Sequence, residues 1–268
     1  LEAIGQLPDA EIDIADAALQ LARVDTPDAD WQAARGPLSA LAREAAALAD
    51  GIGVTDLAGQ AVALQRLVAG SHGYRGDGET YDDPANANLI RVVARRRGLP
   101  VALGVVWLHA AEAAGWAAHG VDFPGHFLIA LACPGEQVVL DVFDGGRSLD
   151  ARALRTLVKA FEGPEAELRP GLLRPMGRRA VLLRLQNNIK LRRLRGGDVP
   201  GALACTEDML RIAPEEASQW REAGLMNSRL DRVTAALQCY ERFLALLPTG
   251  DTAARVRAAM DELRSRLN

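Results

Sequence analysis

At 268 residues the chain has room for one large domain or two ordinary ones. Its composition, 49% hydrophobic and 25% charged, is ordinary for a globular protein. A net charge of −4, with Lys159 and Lys190 the only lysines, argues against nucleic acid as a partner, because phosphate binding needs a concentrated positive field.

Cys133, Cys205 and Cys239 are too few for a disulfide framework, and no pair has zinc-ligand spacing. The N-terminal run carries acids and no apolar h-region, so no signal peptide is read. No run of about 18 apolar residues predicts a membrane span. The expected setting is a reducing cytoplasm, with no membrane, cofactor or metal.

In chain order, the first 70 residues read as helices. DAEIDIADAALQLARVD has apolar residues at helical spacing, and TPDADWQAARGPLSALAREAAALAD follows a Thr-Pro-Asp start. TDLAGQAVALQRLVAG takes Thr55 as N-cap and stops at Gly70. GSHGYRGDGETYDDPAN is a Gly- and Asp-rich loop, and ANLIRVVARRRG is a helix stopping at Gly98. PVALGVVWLHAAEAAG is apolar on almost every face and so is expected to be buried, with Pro100 in its first turn. The β region is GWAAHGVDF, HFLIALAC and EQVVLDVF. Helical signal returns near Leu149 and runs from Arg178 to the end.

That last stretch repeats. QNNIKLRRLRGGDVPGALACTEDMLRIAP aligns with WREAGLMNSRLDRVTAALQCYERFLALLP at an offset of 34 residues, carrying Ala202 to Ala236, Cys205 to Cys239 and Pro214 to Pro248. This is the tetratricopeptide pattern, two helical hairpins closed by TAARVRAAMDELRSRLN as a capping helix. The first copy lacks the Trp and Gly that the second has at Trp220 and Gly224.

A two-residue turn at Pro134-Gly135 sets Cys133 opposite Glu136 and Leu128 opposite Asp141. His126 and Asp141 are then diagonal neighbours on one face, within reach of a charge-assisted contact. The opposite face, Phe127, Ile129, Leu131, Val138, Leu140 and Val142, is uniformly apolar and reads as the core face. Ala130 and Ala132 leave space above the His126 face. An Asp orienting a His supplies two of the three members of an acyl-transfer triad. The third would be a nucleophile at the start of a helix packed below the sheet, where backbone N–H groups lower a thiol's pKa. Pro100 stands there. Cys133 lies about seven residues along the strand from His126, more than ~20 Å away, and is rejected as nucleophile.

The run from GYRGDGETYDDPANANL to PGHFLIA and LDVFDGG resembles the SirB-type transglutaminase-like proteins of bacteria. The matching positions are Tyr81, Asp83, Pro84, Asn86, Arg96, Gly98, Pro100, Pro124, Gly125, His126, Phe127, Asp141, Phe143, Gly145 and Gly146. The resemblance covers roughly residues 30–268, C-terminal repeats included. It implies an α+β fold: a helical N-terminal part and a small antiparallel sheet on a buried helix, residues 1–170, then tetratricopeptide repeats and a cap, residues 178–268. It also implies a catalytic Cys at the buried helix, which is absent here, with Ala87 and Ala102 where relatives commonly carry hydroxyls.

His126 and Asp141 are therefore expected to be a remnant catalytic pair, or a structural tie between strands. Tyr81, Asp83 and Asn86 are candidate ligand-binding residues; the alternatives are a turn at Asp83-Pro84 and an N-cap or loop brace at Asn86 and Asn88. His72, His109 and His119 show no partner pattern. The expected function is a non-catalytic, pseudoenzyme-type adaptor or regulator that binds a protein or peptide through its cleft and repeats. The alternatives are a hydrolase or acyl transferase using His126 as general base without a cysteine, which calls for a polar pocket above Ala130, and a structural scaffold whose cleft is filled by its own side chains.

Overall fold

A computed structural model describes residues 1–169 and 171–266. Two compact units emerge: Pro8–Leu185, and Leu1–Leu7 together with Gln186–Asn268. The sequence reading kept the first residues with the sheet; here helix α1 (Glu2–Gln6) groups with the repeats. Gly5 permits this, since a Cβ there would lie 2.3 Å from the carbonyl oxygen of Arg211.

In the first unit, α2 (Ile14–Asp25), α3 (Trp31–Ala49) and α4 (Leu57–Leu64) begin at Asp13, Asp30 and Asp56, whose carboxylates accept from the free N–H groups of the first turn. The cap of α4 is thus Asp56 and not Thr55. After a π-turn at Gln65–Ser71, strand β1 (Arg75–Gly76) leads through a loop to a 3-10 turn at Pro84–Asn86. Helix α5 (Leu89–Arg95) is capped by Asn88. It stops before Gly98 because Arg96 adopts a left-handed conformation, φ 55°. Strand β2 (Arg97–Gly98) can then pair in parallel with β1.

Helix α6 (Pro100–Ala113) is buried at every residue from Pro100 to Leu108. With no polar face to present to water, it is held by apolar burial, worth about 1.5–3 kcal/mol per enclosed Val or Leu. Then come β3 (Ala118–Phe123), β4 (His126–Cys133), β5 (Glu136–Asp141), β6 (Arg147–Leu149), α7 (Ala151–Glu162) and β7 (Pro175–Met176). The antiparallel sheet has the order β6-β5-β4-β3-β7. Its register is the expected one, Cys133 opposite Glu136 and Ile129 opposite Leu140. Two Pro-Gly turns set it: Gly125 (φ 66°) and Gly135 (φ 88°) take the left-handed position that only glycine fills without strain.

Both sheet faces are covered. Phe127 meets α6 so closely that a Cβ on Gly104 would fall 2.2 Å from its ring. On the His126 face, Leu128, Ala130, Val139 and Leu149 form a second core with Leu154 and Val158 of α7. The space expected above Ala130 is filled, and Ala130 is wholly buried. The small residues admit a helix there, not a ligand.

The division between units falls within α8 (Arg178–Arg195). The repeat unit continues with α9 (Val199–Ile212), α10 (Ala217–Arg229), α11 (Val233–Leu246) and α12 (Asp251–Ser265). Trp220 Nε1 donates to the Pro214 carbonyl at 2.8 Å, and Gly224 lies against the Tyr240 ring. Cys205 is buried in α9 and Cys239 half-buried in α11, as packing residues.

Candidate functional site

His126 opens β4 immediately after the Pro124-Gly125 turn, and Asp141 closes β5. Strand parity points both side chains to the face that α7 covers. His126 Nε2 and Asp141 Oδ1 are 3.0 Å apart. The same Oδ1 accepts the backbone N–H of Phe143 at 3.0 Å and of Asp144 at 3.3 Å. Burial alone would raise the Asp141 pKa. The hydrogen bond and charge of His126 and the two backbone donors outweigh it, so the carboxyl sits below its ordinary range.

The imidazole is enclosed. It stacks on Phe161 at 6.2 Å with planes 15° apart, and meets Phe143 edge-on at 6.3 Å. Its side chain is 12% exposed. Phe161, near the end of α7, also lies where a Cβ of Gly125 would be, 2.2 Å from its ring, so the turn glycine makes room for it.

Of the other candidate residues, Tyr81 reaches this cluster through Phe143, ring to ring at 5.8 Å. Asp83 and Asn86 bond within their own loop and, for Asp83, to the end of α5. Asp83 accepts from Ala85 N at 2.8 Å and pairs with Arg95 at 3.1 Å. Asn86, fully buried, donates to the Thr80 carbonyl at 2.6 Å, while its Oδ1 has no partner among the described residues. Asn86 is thus a loop brace, not an N-cap. Asn88 is the cap and also donates to the Ala22 carbonyl at 3.1 Å.

Sequence reasoning missed the centre of that loop, Asp77. It is buried, accepts from the backbone and hydroxyl of Thr80 at 2.9 and 2.8 Å, and pairs with Arg95 at 2.9 Å. The Thr80 backbone and hydroxyl bonds hold its pKa low against burial, helped by Asn86 and Arg95. An Asp followed three residues later by Thr was the available signal. Phe161 was missed too, although Leu154, Val158 and Phe161 share one helical face of α7.

At the start of α6, Pro100, Val101 and Ala102 are buried and carry no nucleophile. Cys133 ends the strand that His126 begins. Two other histidines do have partners: His72 with Glu44 at 3.0 Å and His109 with the Leu38 carbonyl at 3.2 Å. A cavity of about 510 Å³ lined by Leu108, Trp116, His119, Met176 and Arg178 includes neither His126 nor Asp141. Among the described residues no group of three or more His, Cys, Asp or Glu is placed to hold a metal, and no helix is long and apolar enough to cross a membrane.

A small antiparallel sheet on a buried helix with a His–Asp pair, in one chain with helical hairpin repeats, is the arrangement expected of a transglutaminase-like protein with tetratricopeptide repeats. Comparison with known proteins agrees. A profile described as the transglutaminase-like superfamily matches residues 32–187, and one for the tetratricopeptide repeat matches residues 189–261. A UPF0162 protein of Xylella fastidiosa (strain Temecula1) is 31% identical over 75% of this chain and 73% of its own. One from Vibrio cholerae is 27% identical over 94% of this chain and 93% of its own. UPF0162 protein YchA of Escherichia coli K12 is 26% identical over 75% and 76%. The chain belongs to the transglutaminase-like superfamily.

Proposed function

We propose that the protein is a non-catalytic transglutaminase-like adaptor that binds a protein or peptide through its tetratricopeptide repeats. The observation that carries this reading is the enclosure of the His126–Asp141 pair: the His126 side chain is 12% exposed, with Phe161 stacked on it and Phe143 edge-on, and Pro100 and Ala102 offer no nucleophile. Repeats of this type supply side chains for protein recognition. Capture of partners from native lysate by the full chain, and by a chain lacking residues 186–268, tests it. Unchanged capture after the deletion refutes it.

A hydrolase or acyl transferase is the second reading. Its support is the 3.0 Å contact to an aspartate that is itself held by two backbone N–H groups, the arrangement that orients a general base. Peptidase and amine-transfer substrates, with His126→Ala as control, decide it. Turnover that disappears in the variant establishes catalysis; equal turnover by both proteins eliminates it.

A further inference from the structure

The repeat unit contains a groove of about 210 Å³ between α10, α11 and α12. Arg221, Glu222 and Leu225 of α10 line one side, and Thr252, Arg255, Val256 and Ala259 of α12 the other. The α12 residues are spaced i, i+3, i+4 and i+7, so one helical face supplies them. Tyr240 of α11 also lines it and is held in place by the close approach of Gly224.

The charges in this groove are unequal. Glu222 is the carboxylate among the lining residues, and Lys190 already engages it. Arg221 and Arg255 have no hydrogen bond or ion pair among the described residues. Nearby arginines differ: Arg242 pairs with Glu215, Arg264 with Glu241 and Arg266 with Asp231. The same groove is lined by the apolar side chains of Leu225, which is 47% exposed, Val256 and Ala259. At 210 Å³ the groove is below the range of about 300–1,000 Å³ usual for small-molecule sites, and suits side chains of a larger partner.

We infer that this groove receives a protein segment presenting carboxylates beside an aliphatic side chain. Each guanidinium takes a carboxylate in a forked contact, and Leu225, Val256 and Ala259 take the aliphatic group. A phosphate backbone fits less well, because it has no aliphatic group for Leu225, Val256 and Ala259 and a groove with two arginines is no extended basic track. The inference rests on the adaptor reading and names the chemistry of its partner.

Fluorescence anisotropy with the full chain tests it, using two fluorescein-labelled peptides of equal length, one with leucine flanked by glutamates and one with leucine flanked by lysines. The glutamate peptide is expected to bind at least ~10-fold more tightly, and less tightly as salt rises. Arg221→Glu and Arg255→Glu should each weaken it about fivefold, and Leu225→Ser should weaken it too. Both arginines are exposed, so thermal unfolding of these variants should match the unaltered chain. Equal binding of both peptides, full binding by the double arginine variant, or displacement of the glutamate peptide by an oligonucleotide overturns the inference. If the double variant still captures every lysate partner, the groove assignment fails while the adaptor reading stands. If deletion of the repeats leaves capture unchanged, the adaptor reading itself fails.

Discussion

Asp141 separates charge from hydrogen bonding in one experiment. All three of its side-chain contacts fall on Oδ1: His126 Nε2, Phe143 N and Asp144 N. In Asp141→Asn an amide oxygen can keep the backbone donors, but the charge opposite His126 is lost. Bonds to charged groups are worth about 1.5–3 kcal/mol against about 0.5–1.5 for neutral ones, so the substitution should cost roughly 1–2 kcal/mol. In Asp141→Ala the two N–H groups also lose their acceptor in a side chain position only 9% exposed, and the cost should rise to about 3–4 kcal/mol. The folded pKa lies below the ordinary carboxylate value, so the charge contribution is fully present above the unfolded value, near pH 4, and is lost as pH falls through the folded one. Urea unfolding at pH 7 and below pH 4 reads both quantities. The difference between the unaltered protein and Asp141→Asn should shrink as the solution is acidified. Equal costs for Asn and Ala, or a difference that does not change with pH, refute the reasoning.

Gly125→Ala adds a side chain at φ 66° and 2.2 Å from Phe161, and should cost about 1–2 kcal/mol in urea unfolding; in a Phe161→Ala background the cost should fall, since only the backbone part remains. Lys190 is buried and reaches Glu222 and Gln219, so Glu222→Gln should destabilise by about 2 kcal/mol in thermal or urea unfolding, and Lys190→Met in the same background should recover part of that loss. The pKa of His119 is lowered by burial, so the contribution of its neutral form is present above about pH 6.5 and is lost as pH falls through the folded value; NMR titration should give a midpoint below 6.5, and His119→Gln should flatten the pH dependence of stability there.

The hairpin register was legible because turn chemistry and apolar alternation agree: Gly125 and Gly135 both take positive φ, and any slip would expose Ile129 or Leu140. The repeats were legible through the 34-residue offset. The cover over His126 was not. It comes from Phe161 of α7, whose Leu154 and Val158 pack on Leu128 and Ala130 of the same sheet face, more than twenty residues along the chain, and alternation within a strand does not report which helix will pack on its second face. Local capping was half legible: Asn88 is an N-cap, one of its two expected roles, whereas Asp56 displaced Thr55, and the left-handed Arg96 ends α5 ahead of the stop read at Gly98. In the first repeat, Lys190 and Thr206 occupy the places of Gly224 and Tyr240. A large residue replaces the small one and a small residue the large one, so total volume is kept where the consensus is broken. Both are buried.

The His126–Asp141 pair is a poor gauge of catalysis in this fold, because the corner after β5 requires the aspartate independently. Asp141 holds the N–H groups of residues 143 and 144 through its side chain, and its carbonyl accepts Gly146 N at 2.7 Å. The Phe143 carbonyl in turn accepts Gly76 N at 3.2 Å, joining the corner to β1. Gly146 sits so close to Trp107 of α6 that a Cβ would fall 2.0 Å from the indole ring. A carboxylate lost from position 141 would release this junction of strand, loop and buried helix whether or not a thiol had ever stood beside it. The imidazole pairs a charge that the backbone already needs, and stacking by Phe161 removes it from water. The presence of the pair is therefore accounted for by the corner that it holds, and carries no information about chemistry at Pro100.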